Sequence, residues 1–193
     1  MRGLLIAFEG LDQSGKQTQA ELLRDHLVEA GRLVRLLSFP AYDTAIGGEI
    51  ERALRGVREY GADVMQLLYV ANRYEWKPQI ERELARGTVV ICDRYLASSV
   101  AYGQAQGLEA AWLVDMQKFL PQPDLTILLD IDPAVSARRK TADRDKYERD
   151  LELLARVRAS YHQQAAAGWR MLAADRDRDA VAADVWQAVS AML

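Results

Sequence analysis

The chain is poor in several things that would each have pointed elsewhere. It has one cysteine in 193 residues, Cys92, so it can form no internal disulfide and no cysteine-based zinc site. Its two histidines leave little for a metal cluster. No apolar run approaches the roughly 20 residues of a membrane-crossing helix. Met1–Glu9 reaches a charge too soon for a secretion signal, so a cytoplasmic location is expected. Charge of either sign is nearly balanced, with 28 acids against 25 bases and a net charge of −3. That argues against general affinity for nucleic acid or acidic membranes. What remains is an ordinary globular composition, half hydrophobic, expected to form one domain over residues 1–193.

Short apolar runs alternate with helical periodicity along the whole chain. Strands are expected at Leu4–Phe8, Leu33–Phe39, Thr88–Cys92, Leu125–Ile131 and, more weakly, Trp169–Ala173. Between them, helices are expected at Thr18–Ala30, Gly47–Leu54 and Ala62–Leu84, the last bent or interrupted at Pro78. Ala97–Leu120 reads as largely helical, broken at Gly103 and Gly107. Pro133–Lys140, Glu148–Ala167 and Ala180–Met192 complete the set, with a polar loop at Thr141–Lys146. This alternation predicts an α/β fold, a five-stranded parallel sheet flanked by helices in three layers. Ligands of such sheets bind at the carboxyl ends of the strands, which directs attention to the residues after Glu9, Phe39, Cys92 and Ile131.

The first of these positions carries Gly10-Leu11-Asp12-Gln13-Ser14-Gly15-Lys16-Gln17-Thr18. This is G-x-x-x-x-G-K between a strand and a helix, the context that makes the motif meaningful. Its glycines let successive N–H groups wrap phosphate oxygens, and Lys16 adds a mobile positive charge between the β- and γ-phosphates. Residue 17 is Gln, where a hydroxyl usually meets magnesium, so Thr18 becomes the candidate metal contact. At the end of the third strand stands Asp93-Arg94-Tyr95. A carboxylate there suits magnesium, and an arginine beside it suits a second phosphate.

With these motifs, the chain resembles the thymidylate kinases, P-loop nucleoside-monophosphate kinases, over nearly its full length. Further matching stretches are Ser38-Phe39-Pro40, Leu67–Glu75, Ser98 with Ala101 and Tyr102, Leu120–Leu125, and Asp143–Glu148 followed by Asp150-Leu151-Glu152. The resemblance implies a P-loop NTPase fold with a short lid at about 138–148 and phosphoryl transfer from magnesium-ATP to thymidine monophosphate. Residues 10–18 would bind ATP, and Asp93 and Thr18 would meet Mg2+. Asp12 would accept the sugar 3′-hydroxyl and Arg94 would hold the acceptor phosphate. Tyr69 would stack on the base and Arg73 would bond its edge, with Phe39, Ser98 and Tyr102 completing the pocket. In this family an arginine for the transferred phosphate comes from the phosphate loop or the lid. Gln13 occupies the loop position, so Arg139 and Arg144 are the candidates. Adenine contacts are expected from the lid and the loop around Ala174–Asp177. A homodimer is implied.

Two departures bear on the acceptor. Ala41-Tyr42-Asp43 holds no arginine where many members have one, and Gly103-Gln104 reverses the familiar Gln-Gly order. Weaker acceptor binding or relaxed nucleotide choice is the corresponding expectation. The alternatives are another monophosphate kinase, a deoxynucleoside kinase, or a non-catalytic nucleotide-binding module. Ser38-Phe39-Pro40 lacks the carboxylate a nucleoside kinase needs there, and no Asn-Lys-x-Asp motif marks a GTP switch.

Overall fold

Five parallel strands form the centre of the molecule, in a computed structural model that describes residues 2–139, 150–165 and 168–193. In chain order they are β1 (Leu5–Glu9), β2 (Val34–Ser38), β3 (Val89–Asp93), β4 (Leu125–Asp130) and β5 (Arg170–Ala173). Their spatial order is β2-β3-β1-β4-β5. β1 is therefore central, paired to β3 on one side (Phe8 opposite Asp93) and to β4 on the other (Glu9 opposite Leu128). The chain runs from β1 out to the edge strand β2, returns to β3 between the two, then crosses past β1 to β4 and β5. The end of β1 is thus the topological switch point, where such sheets open a crevice.

Both faces of the sheet are covered, because successive strand residues point to opposite sides. Ile6, Phe8, Val89 and Ile91 pack with Leu23 and Leu27 of α1 (Lys16–Glu29). Leu5, Ala7, Val90 and Cys92 pack with Ile80 and Leu84 of α3 (Ala62–Ala85). This two-sided burial explains why the strands read as continuous apolar runs. The remaining helices are α2 (Ala45–Leu54), α4 (Leu96–Ala105), α5 (Ala110–Asp115), α6 (Pro133–Arg139), α7 (Leu151–Gln164) and α8 (Arg178–Ser190).

Two expectations need correction. α3 runs unbroken through Pro78. Gly103 does not end a helix; it lies inside α4, where a Cβ would come within 2.6 Å of the fully buried Leu113 on α5. Close packing, not chain breaking, requires glycine there, and Gly107 (φ 89) makes the turn instead. Most of the expected lid, including Arg144, lies outside the described residues.

Candidate active site

The loop after β1 is shaped by residues in the left-handed region: Gly10, Gln13 and Gly15 have φ of 140°, 60° and 89°. A Cβ on Gly10 would fall 2.5 Å from the Leu129 carbonyl, so the chain can turn off β1 beside β4 only with glycine. Three successive loop carbonyls are held: Lys16 Nζ donates to Leu11 O (2.7 Å), Ser136 Oγ to Asp12 O (2.7 Å) and Arg139 Nη1 to Gln13 O (3.1 Å). In a trans peptide the next N–H points the opposite way, so these anchors turn loop N–H groups away from the anchoring side chains. α1 then starts at Lys16 with Gly15 as its N-cap, no capping side chain and no acid in its first turn. By contrast, α2, α7 and α8 are capped by Thr44, Asp150 and Asp177. α3, α4 and α5 also start without a capping side chain, but the bare end of α1 directly follows the loop of left-handed residues, and there it is arranged to receive an anion.

Lys16 is buried, and that burial, with the charge of Arg94, draws its pKa down to about 8 against the pull of Asp12, Asp93 and Glu9. It is therefore poised to gain from an anionic ligand. Asp93 ends β3 beside this loop, and its Oδ1 is buried with no hydrogen-bond partner. Gln17 and Thr18 are exposed, and Gln17 Nε2 donates to Glu21 Oε1 (3.0 Å).

A cleft opens next to the loop, lined by Asp12, Phe39, Pro40, Tyr42, Leu54, Gln66, Tyr69, Arg73, Arg94, Ser98, Ser99, Tyr102 and Gln106. Every residue expected to meet the acceptor is in this set. Arg94 Nη2 donates to Asp12 Oδ1 (2.6 Å), and Tyr102 OH donates to Asp12 Oδ2 (3.1 Å). Arg94 Nη1 reaches Gly10 O and Ser98 Oγ, each at 3.2 Å, and its Cζ lies 5.3 Å over the Tyr102 ring. Burial works to raise the Asp12 pKa, but the charges of Arg94 and Lys16 and the bonds from Arg94 and Tyr102 hold it well below the usual carboxylate range. Asp12 therefore stays an acceptor at any working pH.

Arg73 on α3 is only 3% exposed; its Nη1 donates to Ser99 Oγ (2.8 Å), while Nε is buried without a partner. Burial pulls its pKa down, opposed by Glu9. A buried guanidinium with an unused donor at a cleft wall is fitted to an acceptor on a ligand. Tyr69 lies one helical turn from Arg73 on α3 and lines the same cleft. The opposite wall, Phe39-Pro40, is followed by Ala41, whose N–H and C=O are both bonded by the buried Asn72 side chain of α3 (2.8 and 3.2 Å). The Phe39 ring packs tilted against Tyr95, with centroids 5.9 Å apart.

Ser98 has a more connected position than its sequence context indicated: its hydroxyl donates to Glu9 Oε2 (2.6 Å) while accepting from Arg94. Arg139 lies on the other side of the phosphate loop, where Nη2 also donates to Ala174 O (2.9 Å) and so ties the loop to the end of β5. Glu9, Gln66, Ser99 and Tyr161 join the site without having been singled out in the sequence. Gly103 and Gln104 are not among the lining residues: Gly103 faces Leu113, and Gln104 Oε1 accepts from Ser160 Oγ on α7 (2.6 Å). The reversal of these two residues is thus met by helix packing, away from the cleft.

A family model described as thymidylate kinase matches residues 8–185. The thymidylate kinase of Schizosaccharomyces pombe is 37% identical over 162 residues, 84% of this chain and 77% of that protein. The human thymidylate kinase is 32% identical over 188 residues, 95% of this chain and 83% of its own. The solved structure of thymidylate kinase from Candida albicans superposes with a TM-score of 0.88 at 31% identity, covering 98% of this chain and 92% of that one. With a family model matching residues 8–185, relatives above 30% identity over most of its length and a matching fold, the chain belongs to the thymidylate kinase family.

Proposed function

We propose that the chain transfers the γ-phosphoryl group of ATP to thymidine monophosphate, giving thymidine diphosphate and ADP. The observation that carries this reading is the Asp12–Arg94–Tyr102 cluster. It sets a carboxylate and a guanidinium side by side where the phosphate loop meets a cleft of nucleotide-binding character. In the reaction, an acceptor phosphate oxygen attacks the γ-phosphorus in line with departing ADP, and charge spreads over the migrating group. Residues 10–18 bind the donor phosphates, with Lys16 across the β- and γ-positions. Arg94 holds the acceptor phosphate, exchanging part of its contact with Asp12 for phosphate oxygens. Asp12 accepts from the sugar 3′-hydroxyl, Tyr69 stacks on the base, and Arg73 donates to the base edge. Phe39, Ser98 and Tyr102 bound the pocket.

The partnerless Asp93 Oδ1 beside the loop fits a hydrated magnesium ion, with the exposed Thr18 of α1 as the second proposed contact. When bound, the ion supplies positive charge to the donor phosphates. Arg139, already bonded to the phosphate loop, and Arg144 of the 138–148 lid are the proposed cations for the transferred group. The rest of the reading is a single kinase domain acting in the cytoplasm as a homodimer. Exposed Val64 and Leu67, three residues apart on α3, support the dimer.

Initial rates of ADP formation with each nucleoside monophosphate in turn test the reading. Turnover with thymidine monophosphate, weaker turnover with deoxyuridine monophosphate, and loss of both in Lys16→Ala are expected. ATP binding without turnover of any acceptor contradicts it.

A further inference from the structure

Glu9 closes β1 one residue before the phosphate loop and is wholly buried. A buried carboxylate is costly unless its lone pairs are filled, and an apolar side chain would end a central strand at less cost. Here the filling is specific. Oε1 accepts the Tyr95 N–H at 2.9 Å; Oε2 accepts the Ser98 hydroxyl at 2.6 Å and lies 3.2 Å from the Tyr161 hydroxyl. Each of these donors leads to Arg94. Ser98 Oγ accepts from Arg94 Nη1 at 3.2 Å, and Tyr161 OH accepts from the same nitrogen at 3.5 Å. Tyr95 is its chain neighbour.

Arg94 itself sits at φ 63°, a left-handed conformation that a non-glycine residue keeps only when its surroundings impose it. The imposition is visible on both sides: Arg94 N–H donates to Phe8 O (2.9 Å), and the next N–H, that of Tyr95, is the one Glu9 takes. The strained residue is thus pinned between the backbone and the side chain of β1. Its guanidinium is steered by two hydroxyls whose protons are drawn toward the same carboxylate.

We propose that Glu9 is a positioning residue for the acceptor phosphate, fixing the Arg94 turn through Tyr95 N–H and aiming the Arg94 guanidinium through Ser98 and Tyr161. This rests on the reading of Arg94 as the acceptor-phosphate grip. Glu9 touches neither substrate, so its contribution falls on one of them selectively. The Arg94 side is disturbed, while the phosphate loop keeps the three carbonyl bonds it receives from Lys16, Ser136 and Arg139 and shares only the Gly10 carbonyl with Arg94.

The test is Glu9→Gln, which keeps the shape but turns one acceptor into a donor facing donors. With thymidine monophosphate varied at saturating ATP, and the reverse, KM for the monophosphate should rise about tenfold or more. KM for ATP should stay within about twofold, and kcat should change less than KM. A lowered melting temperature with both KM values unchanged, or an equal rise in both, overturns the proposal. If Glu9→Gln does not fold, Ser98→Ala and Tyr161→Phe decide. Each removes one relay and leaves Glu9 on Tyr95 N–H, so each should raise the monophosphate KM about three- to tenfold. No shift in either overturns the proposal. A wild-type protein inert toward every monophosphate overturns the functional reading and this proposal together; wild-type turnover with unshifted variants overturns the proposal alone.

Discussion

The two sides of the site use different materials. Toward the donor, the chain offers backbone: a loop twisted by positive φ, the uncapped start of α1, and one buried lysine whose own bond goes to a loop carbonyl. Toward the acceptor it offers side chains bonded to one another, with Arg94 contacting Gly10, Asp12, Ser98, Tyr102 and Tyr161. Backbone groups suit a triphosphate tail, since any nucleotide presents the same oxygens. A prearranged side-chain cluster suits a choosier task, because a ligand lacking the matching group leaves buried polar atoms unpaired. The division teaches that donor binding and acceptor selection can be altered separately.

The largest effect is expected at Lys16. Lys16→Ala should lower kcat by about 10²–10³ while thymidine monophosphate still binds, as read by ADP release and calorimetry. Loss of monophosphate binding in this variant would break the separation from the donor side. Next, Asp12→Asn should raise the monophosphate KM by about tenfold, since it removes the carboxylate that Arg94 and Tyr102 bond, and should change KM for ATP less, through its charge on Lys16.

A pH effect comes third. Lys16 in the free protein has its pKa drawn from 10.5 to about 8, so kcat/KM for ATP should decline above about pH 8 as the free lysine loses its charge. The stability sign is that of the usual depressed carboxylate and the reverse of a lysine whose pKa is raised by a partner. Between about pH 8 and 10.5 the unfolded chain holds the extra proton, so stability contributed by this group rises with pH in that window. A denaturant midpoint measured with and without Lys16→Met checks it. Smaller still, Gly103→Ala should cost about 1–2 kcal/mol through its clash with Leu113, with both KM values unchanged because position 103 is outside the cleft. Last, Cys92 is fully buried, and burial pushes its thiol pKa up, so a thiol reagent should react with it only after unfolding.

The donor side was legible in the sequence because its information is local. Nine consecutive residues running from the end of a strand into the first turn of a helix specify the loop, and apolar runs buried on both faces specify the sheet. The acceptor side was legible only as a roster. Asp12, Tyr69, Arg73, Arg94, Ser98 and Tyr102 do meet in one cleft, yet the bonds among them join residues up to 90 positions apart. Glu9 illustrates the gap: one acid at the end of an apolar run carries no mark of its Tyr161 partner, 152 residues away. Gly103 was misread because sequence shows a missing side chain but not the Leu113 that fills its place. Pro78 does not interrupt its helix, because proline's effect depends on what the helix packs against; α3 continues past it with Ile80 and Leu84 in the core.

The most direct measurement is calorimetric titration of thymidine monophosphate and, separately, ATP into the wild-type protein and Arg94→Ala. The account predicts that the variant loses about ten- to a hundredfold in monophosphate affinity and keeps ATP affinity within about twofold. Equal losses for both ligands, or unchanged monophosphate affinity, would contradict it.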